Sequence, residues 1–242
     1  MKRFLAGLLV VFVIGRGPGL PALADEPRAP RHLTDAEELV RNLQLKHTNY
    51  EHGQPEIKWT GTRESHADCS GFLDELLMHS YGYDAEQFKR WFDSHRPSAR
   101  RYHDAIVERH GFKAIEEMPH VRPGDILAVK YLKRKDNTGH VMLVAGKPRR
   151  MSPKKPFIEG AIQWETPIID SSETGHGTTD TRYHKGPGGK DHDGLGAGVL
   201  RIYADREGRI LGFTWSTLES SAFKSPDEEH LVIGRLVDGF KP

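Results

Sequence analysis

The sequence predicts an α+β fold in which N-terminal helices pack on an antiparallel sheet, or on a partly closed barrel, of about five to six strands. Apolar residues recur at helical spacing between Thr34 and His110, and they alternate at strand spacing from Ile126 onward. Short turn-forming segments separate the later apolar runs, as expected where consecutive strands form hairpins. We expect one main domain.

The first residues have the features of a cleaved signal peptide. Lys2 and Arg3 precede the short apolar run 4–14, and Ala22-Leu23-Ala24 forms a cleavage site, so residues 1–24 predict export to the periplasm or the extracellular space. The run is too short to span a membrane, and no later segment is as long. Cleavage removes three basic residues and no acidic ones, which changes the net charge from +1 to −2. Neither nucleic acid nor an anionic membrane is therefore an expected partner.

Three helical segments are expected besides the one that follows the cysteine. Residues 25–54 form a lead-in and a first helix, which should begin at the capping-box sequence Thr34 to Glu37. A second capping signal, Asp84 with Gln87, starts another helix, and a further helix should run from Ala99 to His110. Their aromatic stripes indicate core packing rather than a cofactor site.

The second half of the chain predicts strands. They are expected at 126–131, at 140–145, within 161–170, in a hairpin of 198–203 with 210–215, and at 230–237.

Cys69 is the only cysteine in 242 residues, and it lies in Asp68-Cys69-Ser70-Gly71-Phe72 at the start of an amphipathic helical pattern. The first turn of a helix favours the thiolate, which is the reactive form of the side chain. A single cysteine excludes an intramolecular disulfide, and an unpaired thiol in an exported protein suggests that the thiol is used. The alternative is a buried structural cysteine.

A thiol nucleophile needs a base and a group that orients the base. His140 follows Gly139 at the start of a predicted strand, and it is the best candidate base among 14 histidines, although a surface histidine is the simpler alternative. Asp170 ends the apolar run of the next strand and could accept the second ring N–H, although Asp is also common where a strand gives way to a loop. We expect the oxyanion donors to be the backbone N–H of Cys69 and a group within 59–68.

These residues resemble the NlpC-type cell-wall cysteine peptidases, which have a compact papain-like fold. The resemblance rests on Asp68-Cys69-Ser70-Gly71-Phe72, Arg122-Pro123-Gly124-Asp125-Ile126 and Gly139-His140-Val141, and it covers about residues 55–171. It implies Cys69, His140 and Asp170 as catalytic residues, and peptide or amide bonds of peptidoglycan stem peptides as the substrate. The catalytic domain would then be 55–242.

The expected substrate cleft contains Trp59, Asp68, Ser70 and Gly71. Trp59-Thr60-Gly61 is similar to the Trp-Gly-Gly stretch that precedes the cysteine in the family, and a core or lid aromatic is the alternative for Trp59. The chain departs from the family in three ways. No tyrosine upstream of the cysteine is evident, the helical stretch 83–118 is long, and the third catalytic residue is Asp where His, Asn or Gln is more usual.

A glycine- and histidine-rich insertion is expected at 172–198. Its His and Asp residues could bind a metal, but glycine loops lose much entropy on ordering, so a mobile lid, or an excursion of the chain near the cleft, is favoured. The sequence thus predicts an exported cysteine hydrolase without metal or cofactor, acting as a monomer on cell-wall peptides. A catalytically silent wall-peptide binding module and a related thiol acyltransferase are the alternatives.

Overall fold

The computed structural model describes residues 29–134, 137–183 and 192–242. The predicted signal peptide, 1–24, and most of the lead-in lie outside the described residues.

Four α-helices come first in the chain, together with three short strands and a 3-10 turn. The helices are α1 (Arg31–Asn42), α2 (Cys69–Tyr81), α3 (Ala85–Phe92) and α4 (Ala99–Val107). The short strands β1 (Thr48–Asn49), β2 (Glu56–Lys58) and β3 (Glu64–His66) form a small sheet in the order β1-β3-β2.

Helix α2 has the boundaries that the sequence predicts. The Asp68 side chain accepts a hydrogen bond from the backbone N–H of Gly71 at 2.7 Å and caps the first turn. At the other end Gly82 has the left-handed conformation, with φ of 70°, that commonly terminates a helix. The capping box of Asp84 and Gln87 at the start of α3 is also confirmed.

Two helix ends differ from the prediction. Helix α1 begins at Arg31, three residues before Thr34, because Pro30 has the extended backbone of an N-cap and its carbonyl accepts from Leu33 and Thr34. Helix α4 ends at Val107, and the chain turns at Arg109, which has a positive φ of 57°, before Gly111.

The remaining strands form one large sheet, and all of its pairings are antiparallel. It consists of β4 (Phe112–Ala114), β5 (Ile126–Tyr131), β6 (Gly139–Val144), β7 (Arg149–Arg150), β8 (Ile162–Ser172), β9 (Gly194–Ala204), β10 (Ile210–Thr214) and β11 (Glu229–Leu236).

The α+β prediction is confirmed, but the number of strands and the barrel are not. The strand order is β10-β9-β8-β6-β5-β11-β4, with β7 beside β8, and among the described residues no ladder joins the two ends. The sheet has eight strands rather than five to six. The two strands that the sequence does not predict, β4 and β7, have three residues or fewer, and an alternating pattern cannot be recognised over so short a stretch.

The sheet separates two hydrophobic cores. On one face helix residues such as Phe72, Leu76 and Tyr102 pack against Val141 and Ile169. On the other face the second core is formed by residues of the strands and turns, without a contribution from the α-helices. Phe213 near one end of the sheet and Ile233 near the other belong to the same buried cluster, so the sheet curves without closing. No helix in the described ranges has the length and apolar character required to cross a bilayer.

Candidate active site

Cys69 is the first residue of α2, and its side chain lies close to the large sheet. The residue is 5% exposed, and α2 packs against β6 and β8. The hydroxyl of Ser171 on β8 donates to the backbone oxygen of Ala67 at 2.6 Å. This bond ties the segment that enters α2 to the strand that carries Asp170.

The structure brings Cys69, His140 and Asp170 together. His140 donates from Nε2 to Oδ2 of Asp170 at 2.6 Å, and Cys69 is near enough to the same imidazole for its negative charge to raise the pKa of the ring. Because Nε2 faces the carboxylate, Nδ1 is the ring atom left for the sulfur. The three side chains therefore follow one another as thiol, imidazole and carboxylate, an order in which a thiol can act as nucleophile, an imidazole as base and a carboxylate as orienting group.

The charges of this group favour a protonated imidazole. Burial by itself lowers the pKa of His140, but the negative charge of Cys69, followed by the hydrogen bond that the ring donates to Asp170, raises this pKa to about 10. While Cys69 is charged, the imidazole therefore carries a proton on both nitrogens at neutral pH, and the buried Asp170 carboxylate lies behind it.

Asp170 accepts hydrogen bonds from three side chains. Oδ2 accepts from His140 and also from Nε2 of His176 at 2.9 Å, while Oδ1 accepts from Nη2 of Arg182 at 2.8 Å. Burial raises the pKa of Asp170, but the charges of His176 and Arg182, and the bonds from the two imidazoles, hold it well below its usual range. The carboxylate therefore stays ionised although it is fully buried.

The described part of 172–198 is packed rather than mobile, which argues against the lid and leaves the excursion near the cleft. His176, Asp180 and Arg182 are 4%, 4% and 0% exposed, and residues 194–198 are paired within β9. Glycines that suggested flexibility instead allow close packing against the strand. The predicted metal-ligand candidates His184 and Asp191 lie outside the described residues.

A tryptophan that the sequence did not single out packs against the base. The ring of Trp215 meets the His140 ring edge-on, with centroids 5.4 Å apart, and its Nε1 donates to Glu229 at 3.2 Å. The backbone oxygen of Trp215 accepts from Nδ1 of His176 at 2.7 Å. The sequence predicts Trp215 at the end of a hairpin strand, and nothing in its local sequence distinguishes it from a core aromatic.

Two tyrosines lie in the electrostatic field of the thiol. Burial and then the Cys69 charge raise the pKa of Tyr50, and burial followed by the charges of Glu229 and Cys69 raises that of Tyr131. Both phenols are therefore protonated donors at neutral pH. Tyr50 lies 19 residues before Cys69 in the chain and therefore outside the expected donor segment, which begins at Trp59.

The four cleft residues have different positions. Trp59 does not line the approach to the thiol, because its ring stacks on His79 at 4.2 Å, ten residues beyond Cys69 on α2 and thus about 15 Å along the helix axis. Asp68 and Ser70 bond each other at the helix start, at 3.1 Å. Gly71 permits the expected close approach, since a Cβ there would lie 3.3 Å from Pro55.

A metal could find ligands within this site. One atom each from His140, Asp170 and His176 lies within 4.8 Å of the others, which is the one such group among the described residues. In the structure these atoms satisfy each other as hydrogen-bond donors and acceptor. Any ion would have to replace these bonds.

The fold and site define a class: an α+β protein in which a lone cysteine at a helix N-terminus faces a His–Asp pair on a sheet. No family model matches the chain, and no solved structure matches it. It is similar to the uncharacterized protein R653 of Acanthamoeba polyphaga mimivirus, with 32% identity over 203 residues that cover 78% of this chain and 88% of the viral protein. The chain therefore belongs to the same family as this viral protein.

Proposed function

We propose that the chain is an exported cysteine hydrolase that cleaves peptide or amide bonds by Cys-His-Asp catalysis, with peptidoglycan stem peptides as the first substrate class to test. The observation that carries the proposal is the position of His140, which bonds Asp170 through Nε2 and lies near enough to Cys69 for the charge of Cys69 to raise its pKa. The substrate class rests on the resemblance to NlpC-type peptidases.

In the first step the thiolate of Cys69 attacks the substrate carbonyl and forms a tetrahedral oxyanion. The backbone N–H of Cys69 and the hydroxyl of Tyr50 are the proposed donors to this oxygen. The intermediate collapses when the C–N bond breaks, and His140 gives its proton to the leaving amine. The products of this step are a free amine and an acyl-thioester on Cys69.

The raised pKa of His140 does not prevent this transfer. The negative charge of Cys69 is the largest cause that raises the pKa, and the attack consumes this charge. The pKa of His140 therefore falls during acylation, when the leaving group needs a proton. In the second step neutral His140 takes a proton from water, the hydroxide attacks the thioester, and the carboxylic acid leaves with regeneration of the ion pair.

The test combines a thiol label with product analysis. Because Cys69 is the only cysteine, iodoacetamide should add one label, and labelling should abolish release of products from purified peptidoglycan, measured by mass spectrometry. Cys69→Ala and His140→Ala should be inactive. His120→Ala is the matched control, because its side chain is 70% exposed and is paired only with Glu117. Turnover by Cys69→Ala would refute the proposal.

Acyl transfer is the second candidate, and the low exposure of the site favours it. Cys69 and His140 are 5% and 7% exposed, which restricts access of water to a thioester. Adding an amine acceptor to the assay separates the two reactions, because a transferase forms the new amide in preference to the free acid. A silent binding module would bind wall-peptide fragments equally well as wild type and as Cys69→Ala, and it would form no product.

A further inference from the structure

Beside Asp170, two positions of the neighbouring strand β9 are glycines, so this face of the sheet has no side chains there. Asp170 on β8 is directly paired with Gly196 on β9, and Ile168 is paired with Gly198. A Cβ at Gly196 would lie 2.6 Å from Nε of Arg182, and one at Gly198 would lie 2.4 Å from Oδ2 of Asp180. The two glycines therefore create the space that the segment 176–182 fills.

Within that space Arg182 connects two buried carboxylates. Nε and Nη2 donate to the two oxygens of Asp180 at 2.9 and 2.8 Å, and Nη2 also reaches Asp170 at 2.8 Å. Nη1 donates to the backbone oxygen of Gly194 at 2.9 Å. A guanidinium has the planar fork of donors that such an arrangement needs, and lysine does not.

His176 bonds the Asp170 carboxylate at Oδ2, whereas Arg182 bonds it at Oδ1. Nε2 of His176 faces Asp170 and its Nδ1 faces the backbone oxygen of Trp215, and both of these partners are acceptors. The ring satisfies both bonds only when each nitrogen carries a proton. His176 and Arg182 thus hold the Asp170 carboxylate by hydrogen bonds to both of its oxygens.

We propose that His176 and Arg182 are positioning residues for His140 and act through Asp170. They fix the carboxylate so that Oδ2 points at Nε2 of His140, and this orientation keeps the imidazolium beside the Cys69 thiolate. The inference rests on the proposed catalytic role of Cys69, His140 and Asp170. It adds a second layer of residues that neither touches the thiol nor faces the substrate.

Cys69 alkylation by iodoacetamide at pH 7 tests the inference, because it reports the thiolate without any substrate. His176→Gln loses one of the two ring bonds, and we expect alkylation to slow by about tenfold, within the coupling range of contacting residues. In an Asp170→Asn background the same change should slow alkylation by less than about twofold, since the residue through which it acts is already altered. Equal effects in both backgrounds would overturn the inference.

Two matched controls separate positioning from general loss of packing. His32 is also a buried histidine with both ring nitrogens bonded, to Tyr81 and to the backbone of Gly124, so His32→Gln should leave the alkylation rate within about twofold of wild type. Arg201 is a second fully buried arginine, but it donates to backbone oxygens and to Thr214 rather than to Asp170. Arg182→Lys should slow alkylation, and Arg201→Lys should not.

The outcomes are distinguishable from failure of the proposed function. Coupling between His176 and Asp170 in alkylation, without hydrolysis of any wall peptide, would keep the inference and refute the hydrolase. If the wild type hydrolyses wall peptides but His176→Gln slows alkylation equally in both Asp170 backgrounds, the hydrolase proposal is kept and the inference is refuted. Should His176→Gln fail to fold, as judged by its thermal melt, Arg182→Lys with its Arg201→Lys control provides the same comparison in both Asp170 backgrounds.

Discussion

A single added methyl group at Gly198 should disturb both stability and reactivity. The Cβ of Gly198→Ala would lie 2.4 Å from Oδ2 of Asp180 and 2.8 Å from Cβ of His176. Atoms in a close-packed interior do not approach so closely, and both neighbours are 4% exposed, so neither can swing into solvent. Gly198 does not have a positive φ, so the effect is steric rather than one of backbone strain.

The expected cost is at the upper end of the range for overpacked cores, about 3 kcal/mol. For a domain of this size each kcal/mol lowers the Tm by about 2–4 °C, so the melting temperature should fall by about 6–12 °C. Displacement of His176 and Asp180 should also slow Cys69 alkylation at pH 7. Both quantities are measured on the purified chain, by a thermal melt and by intact mass after timed labelling.

Gly53→Ala is the matched control, because a Cβ at Gly53 has no atom within 4 Å. A methyl group there should stabilise the protein by about 0.4–1 kcal/mol, since it restricts the unfolded chain. The alkylation rate should stay that of wild type. A Tm of Gly198→Ala within about 1 °C of wild type, well below the calculated shift, would refute the packing argument.

Three further predictions concern other residues. Tyr50→Phe should lower kcat by about 100- to 1,000-fold with little change in alkylation rate, since it removes an oxyanion donor but not the thiolate; equal kcat would exclude that role. Burial lowers the pKa of both His103 and His230, whose rings are hydrogen-bonded to each other at 2.9 Å. As the pH falls below about 6.5, the unfolded chain therefore binds protons that the folded protein does not. The folding stability should be lost as the pH falls through the folded-state pKa values. His230→Gln should flatten that acid slope in urea melts at pH 5 to 7, and an unchanged slope would contradict the assignment. Asp68→Ala should cost about 1 kcal/mol of folding free energy by loss of the α2 cap, whereas Asp68→Asn should retain most of it in the same melts.

The parts of the fold that the sequence predicts well are those with local causes. The start of α2 depends on a capping side chain three residues from its donor, and its end depends on a glycine with positive φ. The large strands are predicted well because apolar runs of strand length between turn-forming segments are a strong local signal. The start of α1 was missed because a capping-box pattern at Thr34 competed with the proline at Pro30, which also begins helices.

For the site, the residues around Cys69 and His140 and the family resemblance selected Cys69, His140 and Asp170, but not their surroundings. His176 and Arg182 lie in a glycine-rich segment, and composition alone suggests disorder there. The role of those glycines depends on β9 lying directly beside Asp170, which is a long-range pairing that no local pattern reveals. Trp59 was misplaced for a related reason, because proximity to Cys69 in the chain does not indicate which turn of α2 the indole contacts.

The close packing of residues 176–182 on Gly196 and Gly198 of β9 also restricts which substitutions this family can accept. A larger residue at position 196 or 198 fits only if the residues at 176, 180 or 182 shrink or move, and a smaller residue at 182 leaves Asp180 without its cation. We therefore expect residues 176–182 and positions 196 and 198 to change together among homologues, including the mimivirus protein. A homologue with a bulky residue at 196 or 198 should lack the buried ion pairs.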